Sequence, residues 1–191
     1  MAIKILVLSD SHEIVEAMLR IVEREKPDAI FHLGDHLNDA LELEKQVDMP
    51  VYCVASDIDG VNETEDLFEK FVTIEGTCFL LMHGHQLHQT GEVMMSQGLH
   101  DMLAYGKKGK ADIILFGHTH EPFIRSIFVD EGNNQLVRKW LFNPGSIKPV
   151  IWIYCESSNQ WQEHNGKSSY GLIYLSNDVD TMGFEIVEMS S

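Results

Sequence analysis

The chain has 191 residues, 44 % of them hydrophobic and 23 % charged, proportions of a globular protein that exclude a disordered or fibrous one. Lys and Arg number 14 against 30 Asp and Glu, and the resulting net charge of −16 disfavours nucleic-acid polymers and anionic membrane surfaces as partners. It leaves phosphate-bearing small molecules open, because a bound divalent cation reverses the sign of its surroundings.

No apolar run approaches the roughly 18 residues of a membrane span, and the chain enters strand-like sequence at once, so a cytoplasmic location is expected. The length favours a single domain over residues 1–191, with an insertion at about 151–168. Cys53, Cys78 and Cys155 form no CxxC motif, and buried, reduced thiols are expected.

In chain order, Ile3 to Leu8 is an apolar, β-branched run that predicts a strand covered on both faces. Ile14, Ala17, Met18, Ile21 and Val22 then recur at helical spacing between Glu13 and Lys26, and Pro27 ends the pattern. A strand at Ala29 to Leu33, a helix at Ala40 to Gln46 and a strand at Val51 to Ala55 follow. Phe71 to Ile74 and Cys78 to Met82 flank Glu75-Gly76-Thr77 and predict a hairpin. A helix is expected between Glu92 and Tyr105 and a strand at Ile113 to Phe116. The remainder reads as β: Phe123 to Val129, Gln135 to Leu141 after the turn Gly132-Asn133-Asn134, Tyr170 to Leu175 and Phe184 to Glu188. Strands alternating with helices and then hairpins predict an α/β sandwich with parallel strands. The polar stretch Ile151 to Ser169, with Trp152 and Trp161, has no clear element and is expected as an exposed insertion.

One regularity carries the chemistry. Five separate apolar strands each end in residues able to bind metal: Asp10 and His12, Asp35, Asp57, His83, and His118 with His120. Sites in sheets with parallel strands form beyond the carboxyl ends of those strands, where residues distant in sequence converge. A lone histidine at a strand end is more often structural, but five such ends are not explained that way. Seven donors exceed a tetrahedral zinc and suit two ions sharing a carboxylate.

Asp10-Ser11-His12, Gly34-Asp35, the segment Val54 to Asp59, His83-Gly84-His85, Gly117-His118-Thr119-His120 and Asn143-Pro144-Gly145-Ser146, in this order, resemble the calcineurin-like metallophosphoesterases, most nearly their small bacterial and archaeal phosphodiesterase branch. The resemblance covers about residues 1–150 and resumes near Ser169. It implies an αββα sandwich of two mixed sheets flanked by helices. It also implies one metal held by Asp10, His12 and His120, a second held by Asp57, His83 and His118, and Asp35 bridging them. Hydrolysis of a phosphodiester would follow from in-line attack by a hydroxide shared between the ions. The donor set suits manganese, with nickel, iron or zinc as alternatives.

Two positions depart from the family pattern. Asp57 stands where relatives carry Asn, adding a negative charge and removing an amide donor. Ile58 stands where many larger relatives carry a proton-donating His, which leaves His85 or His36 as candidate general acids. Three weaker features read as structural: Asn143-Pro144-Gly145-Ser146 as a turn, Lys107-Lys108-Gly109-Lys110 as a solvated loop, and Met94, Met95 and Met102 as helix packing. His32, His88, His100 and His164 have no spacing argument and are expected to be structural or exposed. Two alternatives stay open: a scaffold of the same fold with an attenuated metal site, similar to a subunit of the retromer complex, and a metal-dependent hydrolase of a non-phosphate ester. The expected partner is a small phosphate ester, and self-association is left open.

Overall fold

A computed structural model describes residues 3–61, 65–85, 111–130, 136–148, 150–155, 160–176 and 182–189. The first sheet is built around three parallel strands, β1 (Ile3–Leu8), β2 (Ala29–His32) and β3 (Val51–Cys53). Two antiparallel strands, β11 (Ser169–Leu175) and β12 (Gly183–Glu188), complete it in the order β12-β11-β1-β2-β3. The second sheet runs β4-β5-β6-β8-β7, from β4 (Glu69–Ile74), β5 (Thr77–Met82), β6 (Ile113–Leu115), β7 (Phe123–Asp130) and β8 (Leu136–Asn143). Its parallel strands are β5, β6 and β8. Each sheet is thus mixed, with a parallel centre.

Side-chain alternation along the strands decides the layers. Ile5, Val7, Phe31 and Leu33 of the first sheet meet Phe79, Leu81, Leu115 and Phe142 of the second in the core between the sheets. Residues of opposite parity, Leu6, Leu8 and Ile30, face outward against the apolar stripes of α1 (Val15–Glu25) and α2 (Leu37–Glu44), where Met18, Ile21 and Leu43 are buried. Leu80, Met82, Ile114, Phe116 and Leu141 form a third buried cluster on the second sheet. Burying each such side chain contributes about 1.5–3 kcal/mol before chain entropy is counted.

The boundaries follow local chemistry. α1 stops where Lys26 turns left-handed, its N–H donating to the Val22 carbonyl, and Pro27 cannot continue the helix. Glu75 and Gly76 close the β4–β5 hairpin as a two-residue turn, both with positive φ, as such turns require. The loop after β3 contains a 3-10 turn at Asp57–Asp59 and a one-turn α3 (Glu65–Phe68).

One expectation, that of enclosed thiols, is corrected, and others gain detail. The segment read as an exposed insertion contains an antiparallel hairpin, β9 (Val150–Cys155) and β10 (Gln160–Asn165). Its side chains, those of Trp152, Trp161, Cys155 and His164 included, lie outside the described residues, as do the expected helix with its methionines, the basic run at 107–110, the turn at 132–134, His88 and His100. Cys53 and Cys78 form no disulfide among the described residues and are half-buried rather than enclosed, because β3 is the edge of its sheet and Cys78 lies beside the hairpin turn. His32 is fully buried.

Candidate metal centre

All six parallel strands end at the same place. β1, β2 and β3 deliver Asp10, Asp35 and Asp57, while β5, β6 and β8 deliver His83, His118 and Asn143. The loops that follow carry His12 and His120. Two clusters of donor atoms result, Asp10 with His12, Asp35 and His120, and Asp57 with His83 and His118, each within 4.8 Å.

The loops are held in an uncommon backbone conformation. Asp10, His12, Glu13, Asp35, His36, His118 and His120 all have positive φ, between 46° and 69°. Such residues cost on the order of 1–3 kcal/mol each and persist only where surrounding contacts impose them. The contacts are visible. Ser146 Oγ donates to the Asp10 carbonyl at 3.1 Å, and the N–H of Lys148 to the same oxygen at 3.2 Å. Asn143 Nδ2 donates to the Gly117 carbonyl at 3.0 Å and to Thr119 Oγ1 at 3.1 Å. The Asn-Pro-Gly-Ser turn therefore ties the Asp10 loop to the loop bearing His118 and His120.

Glycine is required at two close approaches. A Cβ on Gly34, whose φ is +98°, would lie 2.8 Å from His83 Nδ1, and one on Gly117 would lie 2.0 Å from Ser9 Oγ and 2.9 Å from Asp10 Oδ2.

The donor atoms meet at short range. His120 Nε2 lies 3.0 Å from Asp10 Oδ1, His12 Nε2 3.5 Å from Asp35 Oδ2, His83 Nε2 3.2 Å from Asp35 Oδ1, and His118 Nδ1 3.1 Å from His83 Nε2. Donors bonded to one ion at about 2.0–2.2 Å are spaced about 3.0–3.5 Å apart, so these separations fit a metal. Asp10 Oδ1 and His12 Nε2 are buried without a hydrogen bond, as atoms reserved for a cation would be. His83 Nδ1 faces the Leu33 carbonyl oxygen at 2.8 Å and must donate to it, which leaves Nε2 of the neutral ring as the ligand atom.

Electrostatics follow from packing carboxylates against imidazoles. Burial works to raise the Asp35 pKa, but the His83 hydrogen bond and charge, Ser56 and His12 outweigh it and hold the carboxyl well below its usual range. Burial likewise opposes charge on His83, yet Asp35 and Asp10 raise its pKa to about 9. For His12 burial prevails over Asp35 and Asp10, and the pKa is lowered. Cations at these donors would displace the proton that His83 otherwise holds.

His32 is pushed down to about 4, because complete burial outweighs Asp10, Asp39 and Asp59. A depressed histidine favours the fold above its unfolded pKa near 6.5, and that contribution is lost as pH falls toward 4, on the order of 3 kcal/mol in all. In urea unfolding of the metal-free protein at a series of pH values, His32→Gln is expected to flatten the loss of stability between pH 6.5 and 4 by up to that amount. An unaltered pH profile contradicts the assignment.

The seven residues singled out in the sequence all lie in the two clusters, with Asp57 the exposed member. Of the two candidate acids, the His36 ring lies 5.1 Å from that of His12, and the His85 ring lies 5.6 Å from His83 and 5.2 Å from Phe68. The sequence reading missed the residues that hold the donors. Asp59 accepts hydrogen bonds from the Ser56 N–H at 2.7 Å, Ser56 Oγ at 2.9 Å and the Leu37 N–H at 2.6 Å, fixing the Asp57 turn against α2. The Ser-x-x-Asp spacing of a capping box was the available signal.

A model of the calcineurin-like phosphoesterase superfamily domain matches residues 3–159, most of the chain. The chain belongs to that superfamily. A probable metallophosphoesterase of Mycoplasma pneumoniae is 32 % identical over 145 residues, covering 76 % of this chain and 79 % of that one. Two solved structures share the phosphoesterase fold. Vps29 of Entamoeba histolytica in complex with Zn²⁺ matches with a TM-score of 0.66 and 20 % identity, over 97 % of this chain and 99 % of that one. A structure described as a novel archaeal phosphodiesterase matches with a TM-score of 0.60 and 20 % identity, over 98 % of this chain and all of that one. As a phosphoesterase-superfamily member the protein has the expected architecture of two mixed sheets with flanking helices. Among the described residues no helix is long and apolar enough to cross a membrane.

Proposed function

We propose that the protein is a dinuclear metal-dependent phosphodiesterase acting on small phosphate esters. The observation that carries this reading is the placement of Asp35, whose Oδ2 faces His12 of one donor cluster and whose Oδ1 faces His83 of the other. A carboxylate between two clusters is what two neighbouring ions require. Two divalent cations there would neutralise phosphoryl oxygens and lower the pKa of a water for in-line attack.

The chain's own residues do the remainder. Asp10, His12 and His120 would hold one ion, Asp57, His83 and His118 the other. Carboxylate and imidazole donors suit manganese, and admit nickel, iron or zinc. The reading treats residues 1–191 as one cytoplasmic domain, with substrate reaching the site at the exposed Asp57 side.

The scaffold alternative meets a physical objection: Asp10 and Asp35 are 0 % and 7 % exposed, and carboxylates buried together without a cation are costly. Metal analysis combined with chromogenic phosphodiesters, phosphomonoesters and carboxylic esters separates the readings. Two bound ions with diester cleavage support the proposal; no ion and no turnover points to a scaffold; carboxylic-ester cleavage alone points to a different hydrolase.

Asp57 adds charge where an amide would donate a hydrogen bond to phosphate. Asp57→Asn is expected to weaken binding of the second ion by about tenfold and to raise turnover at saturating metal, because the ion becomes more electrophilic. Metal titration and steady-state rates check this, and unchanged values in both reject it. For proton delivery, His85→Ala and His36→Ala are compared on aryl and alkyl esters. The true acid loses about 10²-fold on the alkyl ester and little on the aryl one. Equal losses on both substrates remove the acid role from that residue.

A further inference from the structure

Behind the first donor cluster lies a second buried polar group that takes no part in holding an ion. Ser11, His32 and Asp39 are 0 %, 0 % and 7 % exposed and come from the β1 loop, β2 and the first turn of α2. Asp10 and His12 lie in the donor cluster, whereas Ser11 between them turns the other way. Its Oγ lies 2.7 Å from Asp39 Oδ2, 3.1 Å from His32 Nε2 and 3.3 Å from the Asp35 carbonyl.

A serine hydroxyl has one hydrogen. The short contact assigns it to Asp39, so Nε2 of the neutral His32 donates to Ser11 Oγ, and the chain of donors runs from His32 through Ser11 to the carboxylate. The same Asp39 Oδ2 accepts the Glu13 N–H at 2.7 Å. One carboxylate oxygen therefore grips the residues on both sides of His12.

The grip has something to resist. Asp10, His12 and Glu13 have φ of 54°, 46° and 69°, three left-handed non-glycine residues within four positions. Released, this loop would relax toward ordinary dihedrals and swing the His12 ring away from Asp35. α2 carries Asp39 and begins immediately after His36, so the restraint also fixes the first loop relative to the Asp35 loop.

We propose that Asp39 is a positioning residue that, through Ser11 and the Glu13 N–H, holds His12 in the orientation needed to ligate the first metal ion. This rests on the dinuclear reading above. It predicts a selective effect: loss of Asp39 weakens the Asp10–His12–His120 site and spares the Asp57–His83–His118 site.

The test is titration of the metal-free full chain with Mn²⁺ alone, followed by electron paramagnetic resonance. Each site is read by itself in a background that removes the other, Asp57→Ala for the first site and His120→Ala for the second. Asp39→Leu is expected to lower Mn²⁺ affinity at the first site by about 10- to 100-fold and at the second by less than about twofold. Asp39→Asn, whose amide oxygen can take the same two hydrogen bonds, is expected to stay within about threefold of the parent. Should Asp39→Leu not fold, Ser11→Ala removes only the hydroxyl link and is expected to weaken the first site alone by several-fold.

Equal losses at both sites, or no loss at the first, overturn the proposal. A parent chain that binds no pair of ions overturns the dinuclear reading and this inference together. A parent that binds two ions, with variants that bind them equally well, removes only the role of Asp39.

Discussion

Asp35→Ala is expected to leave the protein with one weakly held ion at most and to lower phosphodiester turnover by about 10³-fold or more. Other ligands serve one cluster each, and their loss leaves the second intact. Asp35 faces both, with its oxygens 3.5 Å from His12 Nε2 and 3.2 Å from His83 Nε2. The fold should survive. Without its carboxylate partner the buried His83 loses the hydrogen bond that most raised its pKa, so burial pulls that pKa down and disfavours an unpaired interior charge. Metal content by elemental analysis, circular dichroism and diester turnover read the three consequences. Retention of two tightly held ions would show that Asp35 does not join the clusters.

The second large effect comes from a residue with no side chain. Gly117→Ala would place a methyl group 2.0 Å from Ser9 Oγ and 2.9 Å from Asp10 Oδ2. Asp10 cannot yield freely: its Oδ2 also faces the Ser9 hydroxyl and the His118 N–H, and its carbonyl is held by Ser146. The substitution should destabilise the metal-free protein by about 1–3 kcal/mol and displace Asp10 from His120. First-site metal affinity and turnover fall with it. Ser9→Ala in the same chain removes the closest clash but leaves the 2.9 Å approach to Asp10, so rescue should be partial. Urea unfolding and metal titration of the single and double variants check this. A stable, fully loaded Gly117→Ala protein would mean that the loop yields more easily than its contacts imply.

The strands and the donors were legible for one physical reason. A buried parallel strand is an unbroken apolar run, so Asp or His at its end is conspicuous, as after Leu8, Leu33, Met82 and Phe116. What lay outside that contrast was not legible. Ser11 looks like filler between two ligands, and Asp39 looks like an ordinary acid near a helix start. Only the turn of the chain after β1 and the approach of α2 give them a common purpose. The hairpin β9–β10 was missed because Gln160-Trp161-Gln162-Glu163-His164-Asn165 lacks apolar alternation, and backbone pairing with β9 is not announced by composition. His32 was undervalued because a histidine in an apolar run carries no sign of whether its nitrogens find partners. Asp57 follows β3 and lies in the second cluster, but nothing in its neighbours announces that it is the exposed member of the set.

Donor chemistry is divided between the two sheets. The first contributes all three carboxylates, Asp10, Asp35 and Asp57, together with His12, and the second contributes the imidazoles of His83, His118 and His120. The first layer alone leaves its donor cluster without His120, and the second alone leaves His83 and His118 without Asp57. Each complete cluster draws on both layers, so an ion held there would act as a rivet across the seam. Such an ion would stabilise the closed pair of layers over either layer alone.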